Sequence, residues 1–272
     1  MLKATQPATI PQISPENRSA PAFFIDPEGI AMIWQRDMVR LWRQRSRLLG
    51  AVARALVWLF ALGFGLRGSL GSIAGFSYEQ FVFPGVIAMT VIFSGLQSAI
   101  SIVYDREFGF LKEVQVAPTP RSTLVIGKCL GGASSSTFQA LIILIFAPFA
   151  SVTLTPLNVL ATIVATFITA LAICGMGVVI AMWITDFENF GTIQNFITLP
   201  LYMFSGAIFP TRQVPSWLHT ILLLNPLTYG VGAIRGVLLG YDIATVPLNL
   251  AVLLAFTVVM VMIAIWMSHR EV

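Results

Sequence analysis

Of 272 residues, 57% are hydrophobic and only 10% are charged, and the mean hydropathy is +0.84. A soluble domain carries about 25% charged residues to cover its surface, so this composition excludes a water-soluble globular protein and makes lipid the solvent. The net charge of +4 does not point to nucleic acid, because the basic residues gather beside apolar segments, where anionic lipid headgroups meet them.

Residues 1–27 hold five prolines and no apolar run, so they are expected to form a disordered cytoplasmic tail, neither signal peptide nor span. Residues 28–47 have helical periodicity. Ile30, Ile33, Trp34, Met38, Leu41 and Trp42 share one stripe, while Gln35, Arg36, Arg40, Arg43 and Arg47 face away, and Pro27 marks the start. With no soluble core to pack against, this basic amphipathic helix is expected to lie in the plane of the membrane interface.

A hydrocarbon core of about 30 Å needs roughly 20 apolar residues in a helix. Six segments qualify: Leu48 to Leu66, Phe81 to Val103, Ser122 to Phe149, Leu157 to Trp183, Phe190 to Phe209 and Leu248 to Met267. The third begins with polar residues, which leaves its entry point open by a turn or more. Between the last two, Pro210 to Pro247 is apolar but broken by Pro215, Asn225-Pro226 and four glycines. Its pieces Ser216 to Leu224 and Thr228 to Leu239 are too short to cross, which predicts two short helices dipping into one face. The fold class is thus an all-α membrane protein. It has six transmembrane helices in 48–272, an N-terminal interfacial helix, and two re-entrant extracytoplasmic helices before the last span.

Twelve of the sixteen lysines and arginines fall on one side of this topology. Arg67, Arg212 and Arg235 fall on the other, and the bias places both termini in the cytoplasm. Arg54 sits in the first span; it either snorkels to the interface, the commoner case, or is a functional buried charge. The central parts of spans two to six carry no ionisable residue. His219 and His269 lie outside them without ligand-like spacing, so neither a catalytic set nor a metal site can be assembled. Cys129 and Cys174 read as plain buried thiols. The polar residues left in the spans are neutral. Gln97, Ser135, Gln139, Gln194, Thr198 and Tyr202 are candidates for a translocation path, the last three on one helical face. The commoner reading of such residues is helix–helix hydrogen bonding. Gly127-Lys128-Cys129-Leu130-Gly131 is a small-xxx-small pattern that suits close packing. It is no phosphate loop, since the upstream glycine and the following Ser or Thr are missing.

The charges collect in two cytoplasmic connections. Asp105-Arg106-Glu107-Phe108-Gly109-Phe110-Leu111-Lys112-Glu113 mixes both signs with apolar anchors and ends at Pro118-Thr119-Pro120, as a docking surface for a soluble partner would. Thr185-Asp186-Phe187-Glu188 is a capping box, and a plain helix start is as good a reading as a second contact.

The Asp105 to Glu113 stretch, the Ala117-Pro118-Thr119-Pro120-Arg121 turn and Gly127-Lys128 resemble the cytoplasmic loop of ABC-2-type permeases, the membrane subunits of ABC exporters. Phe204-Ser205-Gly206-Ala207-Ile208-Phe209-Pro210, Val214-Pro215-Ser216-Trp217-Leu218, Asn225-Pro226-Leu227-Thr228-Tyr229 and Ile234-Arg235 resemble the signature before that family's last span. The nearest branch is that of the daunorubicin-resistance and nodulation-factor exporters. The resemblance implies a permease of the cell inner or plasma membrane, working as a homodimer or paired permease on a separate ATPase subunit. That subunit would bind ATP and Mg, leaving this chain without cofactor or catalytic residue. Asp105, Arg106, Glu107, Phe108, Gly109, Leu111, Lys112 and Glu113, with Asp186 and Glu188, would couple to the ATPase. Phe209, Pro210, Pro215, Trp217, Asn225, Pro226, Tyr229 and Arg235 would form the extracytoplasmic gate. The cargo would be amphipathic, lipid-linked, glycan-like or drug-like. The rival reading, a stand-alone secondary carrier or channel, calls for intramembrane charges or broken helices in both halves.

Overall fold

The computed structural model describes residues 26–66, 68, 71–73, 75–107, 120–184, 187–211 and 214–270. Nine α-helices are described: α1 Pro27–Arg43, α2 Arg45–Trp58, α3 Tyr78–Glu107, α4 Arg121–Leu144, α5 Pro156–Trp183, α6 Phe187–Met203, α7 Ser216–Leu224, α8 Pro226–Leu239 and α9 Val246–Arg270. A π-helical turn, Leu59–Phe64, extends α2. A two-stranded antiparallel hairpin, β1 Ser72–Ile73 and β2 Phe76–Ser77, which the all-α expectation lacks, leads into α3. The expected tail lies outside the described residues as far as residue 25.

The helix α3 is central. It packs against α4, α5, α6 and α8, while α5 packs against α4, α8 and α9. In its most apolar stretch 78% of the residues are buried, against 22% for α2 and 17% for α9, so the latter two form the periphery. They expose Leu49, Val57, Val258 and Trp266, as lipid-facing helices do.

Among the described residues four helices are long and apolar enough to cross a membrane: Arg45–Phe64, Tyr78–Asp105, Pro156–Trp183 and Ile243–Ser268. Of the six expected spans, the third and fifth do not meet that standard. The helix α4 has the length, at 24 residues, but its first half is polar. The helix α6 has only 17 residues and stops at Met203, short of the expected Phe209. The pair α7 and α8, bent by 86° at Asn225, would be a fifth span if counted as one. Its pieces match the short helices read from the sequence, α7 to the residue and α8 two residues longer at its start.

The polar half of α4 has a physical reason, and it corrects the expectation that α1 has nothing to pack against. The backbone N–H of Asp26 donates to Thr123 Oγ1 at 3.1 Å, and Trp34 Nε1 donates to Ser134 Oγ at 3.0 Å. The Trp42 ring lies 6.2 Å from that of Phe138. Contacts advance in the same direction along both helices, from Thr123 to Phe138, so α1 runs alongside most of α4 instead of meeting it once. The small residues make this approach possible: a Cβ at Gly127 would meet Ile33 at 2.9 Å, and one at Gly131 would meet Asp37 at 2.6 Å. The apolar stripe of α1 is thus spent on α4, with Leu41 buried and Trp42 at the rim. Asp26 caps α1 by accepting from Glu28 N at 3.1 Å, and the helix ends at Gln44. Gly131→Leu therefore overpacks this groove and should cost about 2 kcal/mol. A lowered melting temperature of the detergent-solubilised chain, with earlier proteolytic release of α1, is the expected result.

Candidate functional site

Lys128 was counted among the loop cations by sequence. It is a buried residue of α4, 4% exposed. Its ammonium lies 3.1 Å from Asp105 Oδ2 and 3.9 Å from Asp37 Oδ1, and donates to Ser101 Oγ at 2.8 Å. Arg36 adds a second cation 3.4 Å from Asp105 Oδ2. Two cations and two carboxylates from α1, α3 and α4 meet here, so their charges balance. Burial pushes the Asp37 carboxyl above its ordinary range, while Lys128, Arg36 and Arg40 pull the other way. Sequence reasoning missed the cluster because its three contributing segments, at Arg36-Asp37, Asp105 and Lys128, stand 23 and more residues apart. The available signal was Lys128 between two glycines, where a partner helix approaches closely.

Asp105 is the first residue of the expected docking stretch and lies in the last turn of α3. The side chains of Arg106 and Glu107, and residues Phe108, Gly109, Leu111, Lys112 and Glu113, lie outside the described residues, as do Asp186 and the side chain of Glu188.

Of the path candidates, four come together. Gln194 Nε2 donates to Gln97 Oε1 at 3.2 Å, and Gln139 Nε2 donates to Ser135 O at 3.3 Å. Gln97 and Gln139 line a cavity of about 220 Å³ between α2, α3 and α4. A smaller cavity of about 30 Å³ adjoins it, sharing Gln97 and Arg47 and lined by Ser98, Ser101, Ser135 and Asp37. The two form a polar seam leading from the charge cluster into the bundle. Thr198 and Tyr202 do not line it. Thr198 Oγ1 donates to Gln194 O of its own helix at 2.7 Å, and the Tyr202 ring packs edge-on to Trp58 at 5.7 Å.

At the other end of the signature region the side chains serve the backbone. Where α6 stops, Asn225 Nδ2 donates to Leu201 O and Phe204 O, both at 2.7 Å, while its Oδ1 accepts from Leu227 N at 3.0 Å and caps α8. Arg235, counted by sequence as an outside loop cation, is instead a buried residue of α8. It donates to Gly206 O at 3.1 Å and Ala207 O at 3.2 Å, and its guanidinium lies 3.8 Å from the centre of the Phe81 ring. Gly206 has φ +71°, the left-handed turn that lets the chain fold back under these donors. Tyr229 donates to Leu223 O at 2.8 Å, Pro226 is buried, Phe209 and Pro210 are half-buried, and Trp217 and Pro215 are exposed. The proposed gate is therefore a hydrogen-bonded corner with an exposed helix, α7, attached.

Residues 28–239 match the ABC-2 type transporter family. The chain belongs to that family. It is 27% identical over 245 residues to nodulation protein J of Rhizobium leguminosarum bv. viciae, covering 88% of this chain and 93% of that protein. It is 25% identical over 238 residues to the inner membrane transport permease YadH of Escherichia coli K12, covering 85% and 90%. A protein named ycf38 in Cyanophora paradoxa is 29% identical over 226 residues, covering 81% and 77%. The family resemblance read from the two motifs is thereby established, and the protein is a transport permease of the membrane.

Two outcomes follow for the permease. Lys128→Met leaves Asp37 and Asp105 without their shared cation, which for a buried pair costs about 3 kcal/mol or more. In an Asp37→Asn background the same change should cost clearly less, as a double-mutant cycle of denaturant unfolding in detergent would read. Asn225→Ala strips two carbonyls of their donor and uncaps α8, so it should destabilise by about 2 kcal/mol. Asn225→Asp keeps the cap but not the donors, and should recover only part of that loss in the same unfolding assay.

Proposed function

We propose that this permease is the membrane subunit of an ATP-driven exporter, powered by a separate ATPase subunit that holds ATP and Mg. The observation that carries the reading is the anchoring of Asp105. The foot of the docking stretch is tied through Lys128 to α1 and α4, so a force on that stretch moves three helices together. A coupling element has to be rigidly packed, because a sliding contact transmits no work. In this reading six segments span the membrane, with α4 and α6 as the third and fifth and α7 with α8 as a re-entrant outer pair. Both termini, Lys112 and Glu188 face the cytoplasm, and two permeases pair over two ATPases. Phe108 and Leu111, three residues apart, present one apolar edge to a groove of the ATPase. The names of the relatives, a nodulation protein and an inner membrane transport permease, support transport, while the outward direction follows from the family resemblance of the two motifs. The cargo is an amphipathic, lipid-linked or glycan- or drug-like molecule.

One observation favours the carrier reading: the buried Lys128 cluster is the kind of intramembrane charge it calls for. A carrier would move cargo on an ion gradient with no ATPase present. The permease reading expects instead that the isolated chain hydrolyses no ATP and that an ATPase with a phosphate-binding loop co-purifies with it. Phe108→Ala should then weaken ATPase binding roughly thirtyfold, about 2 kcal/mol, without loss of membrane insertion. Binding to permease in nanodiscs measures this; equal dissociation constants, or gradient-driven transport by the lone chain, would count against the coupling assignment.

A further inference from the structure

The cavity between α2, α3 and α4 carries more positive charge than the bundle needs. Arg47 and Arg54 are seven residues apart on α2, so both point to one side, about 10 Å apart along the axis. Both line the 220 Å³ cavity, with Gln97, Gln139, Ser94 and Phe93 opposite. Gly50 and Ala51, between the arginines, leave the space open. Arg47 donates to Ser94 O at 3.3 Å, and the Arg54 guanidinium lies 4.2 Å from the centre of the Phe93 ring. Stacking on Phe93 holds Arg54 across the cavity against α3. Among the described residues neither guanidinium meets a carboxylate at ion-pair distance, and no acidic residue lines this cavity. In the adjoining cluster, by contrast, Lys128 and Arg36 are matched by Asp37 and Asp105.

Two guanidinium forks facing one polar space suit a phosphate or carboxylate, which each can grip through paired N–H groups. The volume admits a headgroup but not acyl chains, which stay outside where α2 exposes Leu49 and Val57. We propose that this cavity binds the anionic headgroup of an amphiphile, entering along the polar seam. The amphiphile is either a bilayer lipid or the cargo itself. The second source rests on the permease reading; the binding site does not.

The test uses the full chain in phosphatidylcholine nanodiscs and a fluorescent phosphatidic acid as probe, with the matching diacylglycerol as the neutral control. The expected result is at least a tenfold preference for the phosphatidic acid. Arg54→Gln and Arg47→Gln should each cut that preference severalfold and together abolish it, while Arg54→Lys keeps part of it. Arg45→Gln, an exposed change on the same helix, should leave it intact. If the double variant does not fold, unlabelled phosphatidylglycerol titrated into wild type should displace the probe. Equal binding of the two probes, a preference that survives loss of Arg54 and Arg47, or no displacement would overturn the site. Adding the ATPase and ATP distinguishes the sources. Movement of the probe to the far leaflet makes it cargo, and retention makes it a resident lipid; the site stands in both cases. Binding without preference beside intact ATPase association removes the site and leaves the permease reading. Preserved preference with no ATPase association does the reverse.

Discussion

A lysine ammonium inside a helical bundle has to be neutralised where it stands, because an isolated charge in a low-dielectric interior is far too costly to keep. Lys128 meets that condition with Asp37 from α1, Asp105 from α3 and the hydroxyl of Ser101. The arrangement of this end of the molecule follows from it. The helix α1 has to lie along α4 for Asp37 to reach, and it can do so only because Gly127 and Gly131 offer no side chain in its path. The last turn of α3 has to be at the same level for Asp105 to reach. The polar first half of α4, which makes it a poor span by hydropathy, is then not facing lipid but facing α1.

The opposite end answers to a different cost. Wherever a helix stops inside a packed bundle, its last carbonyls lose their partners and need other donors. The stop after Met203 is covered by Asn225 and the turn that follows by Arg235, both reaching back from the α7–α8 pair. This gives the signature residues a structural duty. Asn225 occupies the single-residue joint between two helices bent by 86°, so it serves α6 and α8 at once. Arg235 is buried, and its charge rests on the Phe81 ring and the carbonyls of Gly206 and Ala207. A charge held by backbone dipoles and a ring face is tolerable in such a place, and it fixes α3 to the turn.

Much of the helical layout was legible in the sequence, because in lipid the length of an apolar run and the position of prolines carry nearly all the information. The start and end of α7, the break at Asn225-Pro226 and the beginning of α1 at Pro27 could be read directly. The end of α6 could not, since Phe204 to Phe209 is as apolar as a span, and only the backbone donors on α8 reveal that it turns. The roles of Lys128 and Arg235 were hidden for one reason. A count of basic residues assumes that cations near span ends face water, whereas both here face partners that are remote in sequence. Gln194, Thr198 and Tyr202 share a face, as their spacing requires, but only Gln194 meets the polar seam. Periodicity says which residues look the same way, not what they look at.

The charge cluster and the cavity between α2, α3 and α4 share walls, and this bears on how the proposed coupling could reach the proposed site. Ser101 accepts a hydrogen bond from the Lys128 ammonium and also lines the smaller cavity, as does Asp37. Arg47 and Gln97 line both cavities, and Gln97 is in turn held by Gln194 of α6. A shift of the Asp105 end of α3 relative to α1 therefore cannot leave the seam unchanged, because the same helices form its sides. Packed interiors respond to such shifts by switching between discrete arrangements instead of stretching. With the cations at the mouth balanced by carboxylates and those deeper in unbalanced, an anion entering the seam moves toward less compensated positive charge. Displacing it again requires that the walls carrying Arg47 and Arg54 part from the wall carrying Gln97 and Phe93. That separation lies between α2 and α3, and α3 is the helix whose end carries the docking stretch.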